Sequence, residues 1–127
     1  MRRTILLTAC IFLAGMAVCT LVQTNVNRVV THARHLRTEA IEAMDEGRVQ
    51  QAEERLVELA GYLSRNQDWL AMVCEHSDLH EIKADIIDAQ AAIEFGIEDD
   101  FYQAIYRFGE GLEHIAEIQE ISLSNLY

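Results

Sequence analysis

The chain contains no proline and only six glycines. Proline would break a helix interior, and glycine would supply the positive-φ positions of tight hairpins. Their scarcity therefore leaves long helices unobstructed and gives little support to β-turns. Cysteine is also scarce. Cys10 and Cys19 lie nine positions apart in an apolar N-terminal stretch, on opposite sides of any helix formed there, and Cys74 stands alone beyond it. A lone thiol excludes an intramolecular bridge, so Cys74 reads as a small buried residue or an intermolecular partner. Positive charge is short as well: ten Lys and Arg face 21 Asp and Glu, a net charge of −11. Up to Gly47 five arginines offset four acids, whereas beyond it five basic residues stand against 17 acids, or −12. Nucleic acid and anionic lipid are poor partners for so acidic a body.

What is present begins with a greasy leader. Arg2 and Arg3 precede an uncharged run from Ile5 to Val22. As a helix, those residues span about 27 Å, close to the roughly 30 Å of bilayer hydrocarbon. Residues 1–24 are therefore expected to form a single-pass, signal-anchor-like membrane segment. Gly15-Met16-Ala17 would suit cleavage of a signal peptide, but the apolar run continues past it to Val22. Leu7-Thr8-Ala9-Cys10 has the residue order of a lipobox, yet no hydrophobic region precedes it. Arg2, Arg3 and the terminal amine are nearly balanced by Arg28, Arg34 and Arg37 on the other flank. The signal-like layout favours an inside N-terminus, which puts residues 25–127 on the outer face of the cell membrane. Arg28, His32, Arg34, His35 and Arg37 could rest against headgroups, although a solvated basic flank is the simpler expectation.

Apolar spacing predicts an all-α fold: the membrane helix continues into a small antiparallel bundle of three or four helices. The first segment, to Glu46, carries Val26, Val29, Val30, Ala33, Leu36, Ala40 and Met44 on one side and stops at Gly47. The second, from Arg48 to about Ser64, has Val49, Ala52, Leu56, Leu59, Ala60 and Leu63 opposite Gln50, Gln51, Glu54 and Glu58. A third is expected from about Asp68 to Phe95, with Trp69, Met72, Val73, Leu79, Ile86, Ile87 and Ala91 facing the core. Its stripe points away from that of the second segment, which implies a turn at "SRNQD" with Asp68 as N-cap; one long helix with two differently used faces is the alternative. The fourth starts near Asp100, capped by Asp99 or Asp100, and buries Phe101, Ala104, Ile105, Phe108, Leu112, Ile115 and Ala116. The tail "SLSNLY" is expected to leave the helix, laying Leu123, Leu126 and Tyr127 on a groove or fraying.

Chemistry is sparse in this pattern. His76 and His80 fall about 40° apart on a helical wheel, in line with Trp69, Val73 and Ile87, and so are expected to face inward. As a metal pair they lack ligands, for the Glu-x-x-His spacing of di-iron bundles is absent: Val29, His32, Val73, Ser77 and Gly111 stand three before the five histidines. Neutral imidazoles bonded to a facing carboxylate or carbonyl are the expected state. Glu54, Glu58, Glu110, Glu113 and Glu117 fall on outward faces. Gly109 and Gly111 follow no strand and read as points of close helix packing rather than a phosphate loop. "IEDD" (Glu98, Asp99, Asp100) lacks the alternation of a calcium loop. No serine or cysteine nucleophile pairs with a base in a known motif. The expectation is a non-enzymatic chain without cofactor or metal, with Trp69, His76, Phe101, Phe108 and Leu112 as structural residues.

The order "AMDEGRVQQAEERLVEL", Trp69, "HSDLHEI" and a terminal Ser122-Leu123-x-Asn125 resembles the bacterial proteins grouped as domain of unknown function 4363. These are short chains with an N-terminal membrane segment, found chiefly in spore-forming Gram-positive bacteria. The resemblance implies a helical fold and a membrane location but no activity. In that likeness His76 matches the family's histidine, and His80 occupies a position where an acid is commoner. Two functions fit: a non-catalytic scaffold binding a protein partner or a second copy, or an extracytoplasmic ligand- or metal-sensing domain using His76 and His80.

Overall fold

The computed structural model describes the backbone of residues 1–124 and the side chains of residues 1–120. The chain folds into α1 (Arg2–Asp45), α2 (Val49–Arg65), α3 (Gln67–Ala71), α4 (His76–Phe95) and α5 (Glu98–Ser124). No strand occurs among the described residues. α1 runs unbroken for 44 residues through the end of the apolar stretch, where no glycine or proline interrupts it. Up to Leu21 this helix is exposed on all sides, and it is long and apolar enough to cross a membrane. The hydroxyls of Thr8 and Thr20 donate to the carbonyls of Thr4 and Met16 at 2.8 and 2.9 Å, so the helix itself satisfies them.

Two glycines end helices in the same way. Gly47 and Gly96 have φ of +77° and +70°, a left-handed conformation that costs a side-chain-bearing residue about 1 kcal/mol or more. At the first, the amides of Gly47 and Arg48 return to the carbonyls of Met44 and Ala43 at 3.0 and 2.8 Å; at the second, those of Gly96 and Ile97 return to Ile93 and Ala92 at 3.2 and 2.9 Å. These paired bonds satisfy carbonyls that the helix end would leave bare.

Between the reversals the helices close a ring: α1 packs on α2 and α5, and α4 on α5 and α2. Neighbours are antiparallel. The pairs Glu39 with Arg55 and His32 with Tyr62 both have Gly47 as their midpoint in sequence. Gln67 with Lys83 centres on Glu75, and Asp85 with Arg107 on Gly96. The core is the closed seam of this ring, including Val26, Val29 and Leu36 of α1, Leu56 and Leu63 of α2, Ile82 and Ile86 of α4, and Phe101, Phe108, Leu112 and Ile115 of α5. Burying each such side chain contributes about 1.5–3 kcal/mol.

The third expected segment is two helices. After a break at Asn66 the chain continues through α3, and the reversal lies at Met72–Glu75, where Glu75 is extended (φ −72°, ψ 154°). Asp68 stands in the first turn of α3 rather than at its cap. The interruption resets the helical phase, so a count carried on from Trp69 assigns the residues of α4 to the wrong faces. Leu79, Ile82, Ile86, Ala89 and Ala92 are buried in α4, whereas Ile87 and Met72 are 63% and 64% exposed. Val49, at the free start of α2, is exposed as well. α5 begins two residues earlier than expected, so Glu98, Asp99 and Asp100 all lie inside its first turn, favourable to the helix dipole without capping it. At the other end α5 continues through Ser124, so the chain does not leave the helix at Ser122. The docking expected of Leu123, Leu126 and Tyr127 lies outside the described side chains.

Candidate functional site

The two histidines singled out by spacing do not enter the core. His76 is the first residue of α4 and, like His80, is solvent-exposed, a consequence of the same phase reset. Neither meets a third ligand: no group of three or more His, Cys, Asp and Glu able to hold a metal occurs among the described residues. His35 Nε2 approaches Glu39 at 2.9 Å, and the His32 ring lies 4.4 Å from that of Tyr62. Phe101, Phe108 and Leu112 are fully buried, and Trp69 is half-buried against the core.

The most developed polar arrangement joins α1 to α5. Arg34 grips Glu113 with both ends of its guanidinium, Nε to Oε1 at 2.5 Å and Nη2 to Oε2 at 2.8 Å. This bidentate bond holds the Glu113 carboxyl below its ordinary range. One turn further from the apolar stretch, Arg37 donates from Nε to the Ile105 carbonyl at 3.0 Å and lies 5.6 Å from the centre of the Tyr106 ring. Gly109 makes room for it: a Cβ there would stand 2.5 Å from Arg37 Nε. The equivalent atom on Gly111 would stand 2.7 Å from Ile82 Cγ2, so the two glycines serve close packing against α1 and α4 respectively. An open groove of about 620 Å³ follows this seam between Arg34, Arg37, Tyr106, Glu110, Glu113, His114 and Glu117. Its guanidinium charges are already engaged. The lining supplies no hydroxyl or thiol other than the Tyr106 phenol, and along it Arg34 and Arg37 cross-link α1 to α5. Arg34 and Arg37 thus belong to the bundle rather than to the stalk.

A second feature occupies the end of the bundle opposite the apolar helix. The reversals at Gly47 and Gly96 lie there together, tied by the Tyr102 hydroxyl, which donates to Asp45 Oδ1 at 2.5 Å. That bond pushes the Tyr102 phenol up to about 12. Phe95 and Ile97 flank Gly96 and are 74% and 47% exposed, with Val49 also bare at this end. Asp45, Glu46, Glu94, Glu98, Asp99 and Asp100 surround them, all exposed. The helical wheel gave no signal for this tip, because it forms from turn residues that carry no periodicity.

Two polar groups, one buried and one partly buried, escaped the sequence reading. Gln119, 4% exposed, donates from Nε2 to the Gln23 carbonyl at 3.0 Å, pinning the far end of α5 to α1 just beyond the apolar run. Its Oε1 has no partner among the described residues. The signal was available: Gln119 continues the Leu112, Ile115, Ala116 stripe at helical spacing. Asp85 of α4 meets Arg107 at 3.4 Å, but burial outweighs that attraction and raises its carboxyl. Cys74 is half-buried, its thiol donating to the Leu70 carbonyl at 3.0 Å, and desolvation pushes it up to about 11.

No curated protein matches the chain. A family model does, over residues 20–126, from the last turn of the apolar stretch through the whole bundle. The chain belongs to the family described as domain of unknown function (DUF4363).

Proposed function

We propose that the protein is a membrane-tethered, non-catalytic interaction module. α1 crosses the cytoplasmic membrane once and holds the bundle on the outer face, where the distal tip docks another protein or a second copy. The observation that carries this reading is the apolar patch of Phe95 and Ile97 within an acidic surround, at the end furthest from the apolar helix. Exposed aromatic and aliphatic anchors with a charged rim are the usual anatomy of a protein contact. From Val22 to Asp45 the helix rises about 35 Å, so α1 acts as a rigid spacer setting the height of the tip above the bilayer. The acidic rim selects a basic partner surface and disfavours nucleic acid.

A photo-crosslinking amino acid at position 95 of the full chain, expressed in intact cells, tests this. The expected result is a discrete adduct at position 95 and none at exposed Glu58, with an adduct of twice the chain's mass signifying self-association. Absence of any adduct at position 95 contradicts the reading. The sensing alternative, built on His76 and His80, gains no support from two exposed imidazoles that have no third ligand among the described residues. Elemental analysis of the purified full chain is expected to find no stoichiometric metal dependent on His76.

A further inference from the structure

The opposite end of the bundle, where α2 passes through α3 into α4, carries a second set of exposed groups. Arg55 with Glu39 and Tyr62 with His32 set a register in which each residue down α2 matches one residue of α1 toward the apolar run. Carried on through α3, which packs against α1, the count brings Trp69 level with Asn25 and Met72 level with Val22. The far end of α5 reaches the same height on α1, since Gln119 is bonded to Gln23. Met72 is 64% exposed at the height where the membrane-compatible stretch ends.

The arginines divide by height in the same frame. Arg34, Arg37, Arg48, Arg55 and Arg107 each engage a carboxylate or a carbonyl. Arg28 and Arg65 have no such partner among the described residues, and they are the two bundle arginines nearest the apolar run. They also share a side. Arg28 lies one turn before His32 on α1 and Arg65 one turn after Tyr62 on α2, directly below the contact of those rings. Their backbones stand about 10 Å above Val22; an arginine reaching down from there meets the headgroup layer, about 5–7 Å thick on each face of the bilayer, and the exposed Arg65 head, which rests beside Gly61 one turn higher, has to swing down to do so. Asp68 lies one turn below Arg65, and Glu75 and His76 come after Met72, so the end is of mixed charge rather than acidic like the opposite tip.

We infer that the α3 end of the bundle is a second membrane contact, with Met72 and Trp69 in the interfacial layer and Arg28 and Arg65 on lipid phosphates. Trp is a residue of the interface, Met supplies an adaptable apolar contact, and each arginine near an anionic surface favours the docked state about fivefold. The bundle then stands on the bilayer at two points, the α1 helix and this corner, which fixes its azimuth as well as its height. This inference rests on the membrane-tethered reading above.

Trp69 is the single tryptophan of the chain, so its emission reports the contact directly. The full chain is placed in nanodiscs of phosphatidylcholine with phosphatidylglycerol, with and without lipids brominated near the glycerol end of the acyl chains. The expected result is strong quenching and a blue-shifted emission for Trp69. Quenching should weaken in the Arg28→Gln/Arg65→Gln variant and in phosphatidylcholine alone, with helicity unchanged by circular dichroism. A second chain carrying Phe12→Trp and Trp69→Phe, read with lipids brominated near the methyl end of the acyl chains because position 12 falls near the bilayer midplane, reports the tether separately. If the indole introduced at position 12 is quenched and Trp69 of the unaltered chain is not, the contact is refuted while the tether stands. If neither is quenched, the tether reading fails and the contact with it. Quenching of Trp69 that ignores both arginines and lipid charge overturns their assignment to phosphates.

Discussion

At the scale of single residues, the two glycines of α5 behave differently although they are two positions apart. A methyl on Gly109 meets the far end of the Arg37 side chain, which can swing away at the loss of one hydrogen bond, whereas a methyl on Gly111 meets a buried isoleucine in the α4 interface. Alanine gains about 1 kcal/mol of helix propensity at both sites, so Gly109→Ala should be near neutral. Gly111→Ala should cost about 1–2 kcal/mol net, overpacking outweighing the gain, as read from thermal or urea unfolding. Cys74 offers a chemical test. With its thiol at about 11, it should alkylate at pH 8 about a hundredfold more slowly than a free thiol, measured peptide by peptide by mass spectrometry. The carboxylates give opposite pH signatures. Glu113 is depressed by Arg34, so its stabilisation is full above the ordinary glutamate range and is lost as pH falls through the lowered value. Asp85 is raised, so its stabilisation is present below the ordinary aspartate range and is lost as pH rises through the raised value. Glu113→Gln should therefore lower the melting temperature at pH 7 and leave it unchanged in acid, while Asp85→Asn should raise it slightly at pH 7. Solvent screening keeps each effect below about 1 kcal/mol.

At the scale of elements, α3 is the piece that decides the topology. Five residues long, it buries Leu70 completely at the junction of α1, α2 and α4. Leu70→Ala should cost about 2–4 kcal/mol, a large loss for so short a helix, measured by unfolding of the full chain in detergent. The other elements were legible because each had a signal of its own. Gly47 and Gly96 marked their reversals, and the stripes of α1, α2 and α5 named the core from Val26 to Ile115. The reversal after α3 had neither glycine nor proline. It is made at Met72–Glu75 because α4 must return along α2, a demand of the closed ring that no local preference at Cys74 or Glu75 reveals. His76, His80 and Ile87 were misplaced for that one reason. Arg37 and Gly109 were each visible in the sequence, but their pairing across α1 and α5 was not, since register between helices is set by packing.

At the scale of the whole molecule, charge and apolar surface are distributed by height. The membrane-compatible run is at one end, the two arginines without a partner among the described residues stand just above it, and the acidic tip is at the other end. With a net charge of −11, much of it concentrated at that tip, self-repulsion should oppose folding. Raising salt toward 1 M, where the screening length shrinks to about 3 Å, should therefore raise the melting temperature of the bundle rather than lower it. The central claim, that α1 spans the bilayer and carries the tip away from it as one stiff rod, is tested most directly by a height. A fluorescent donor is attached at position 95 as Phe95→Cys, with Cys10, Cys19 and Cys74 replaced by alanine, and energy transfer to headgroup-labelled lipid is measured in nanodiscs. A closest approach of about 28–30 Å is expected, the roughly 35 Å rise of α1 above Val22 less the headgroup layer of about 5–7 Å. A donor found at the level of the headgroups, or a chain that leaves the membrane altogether, would contradict it.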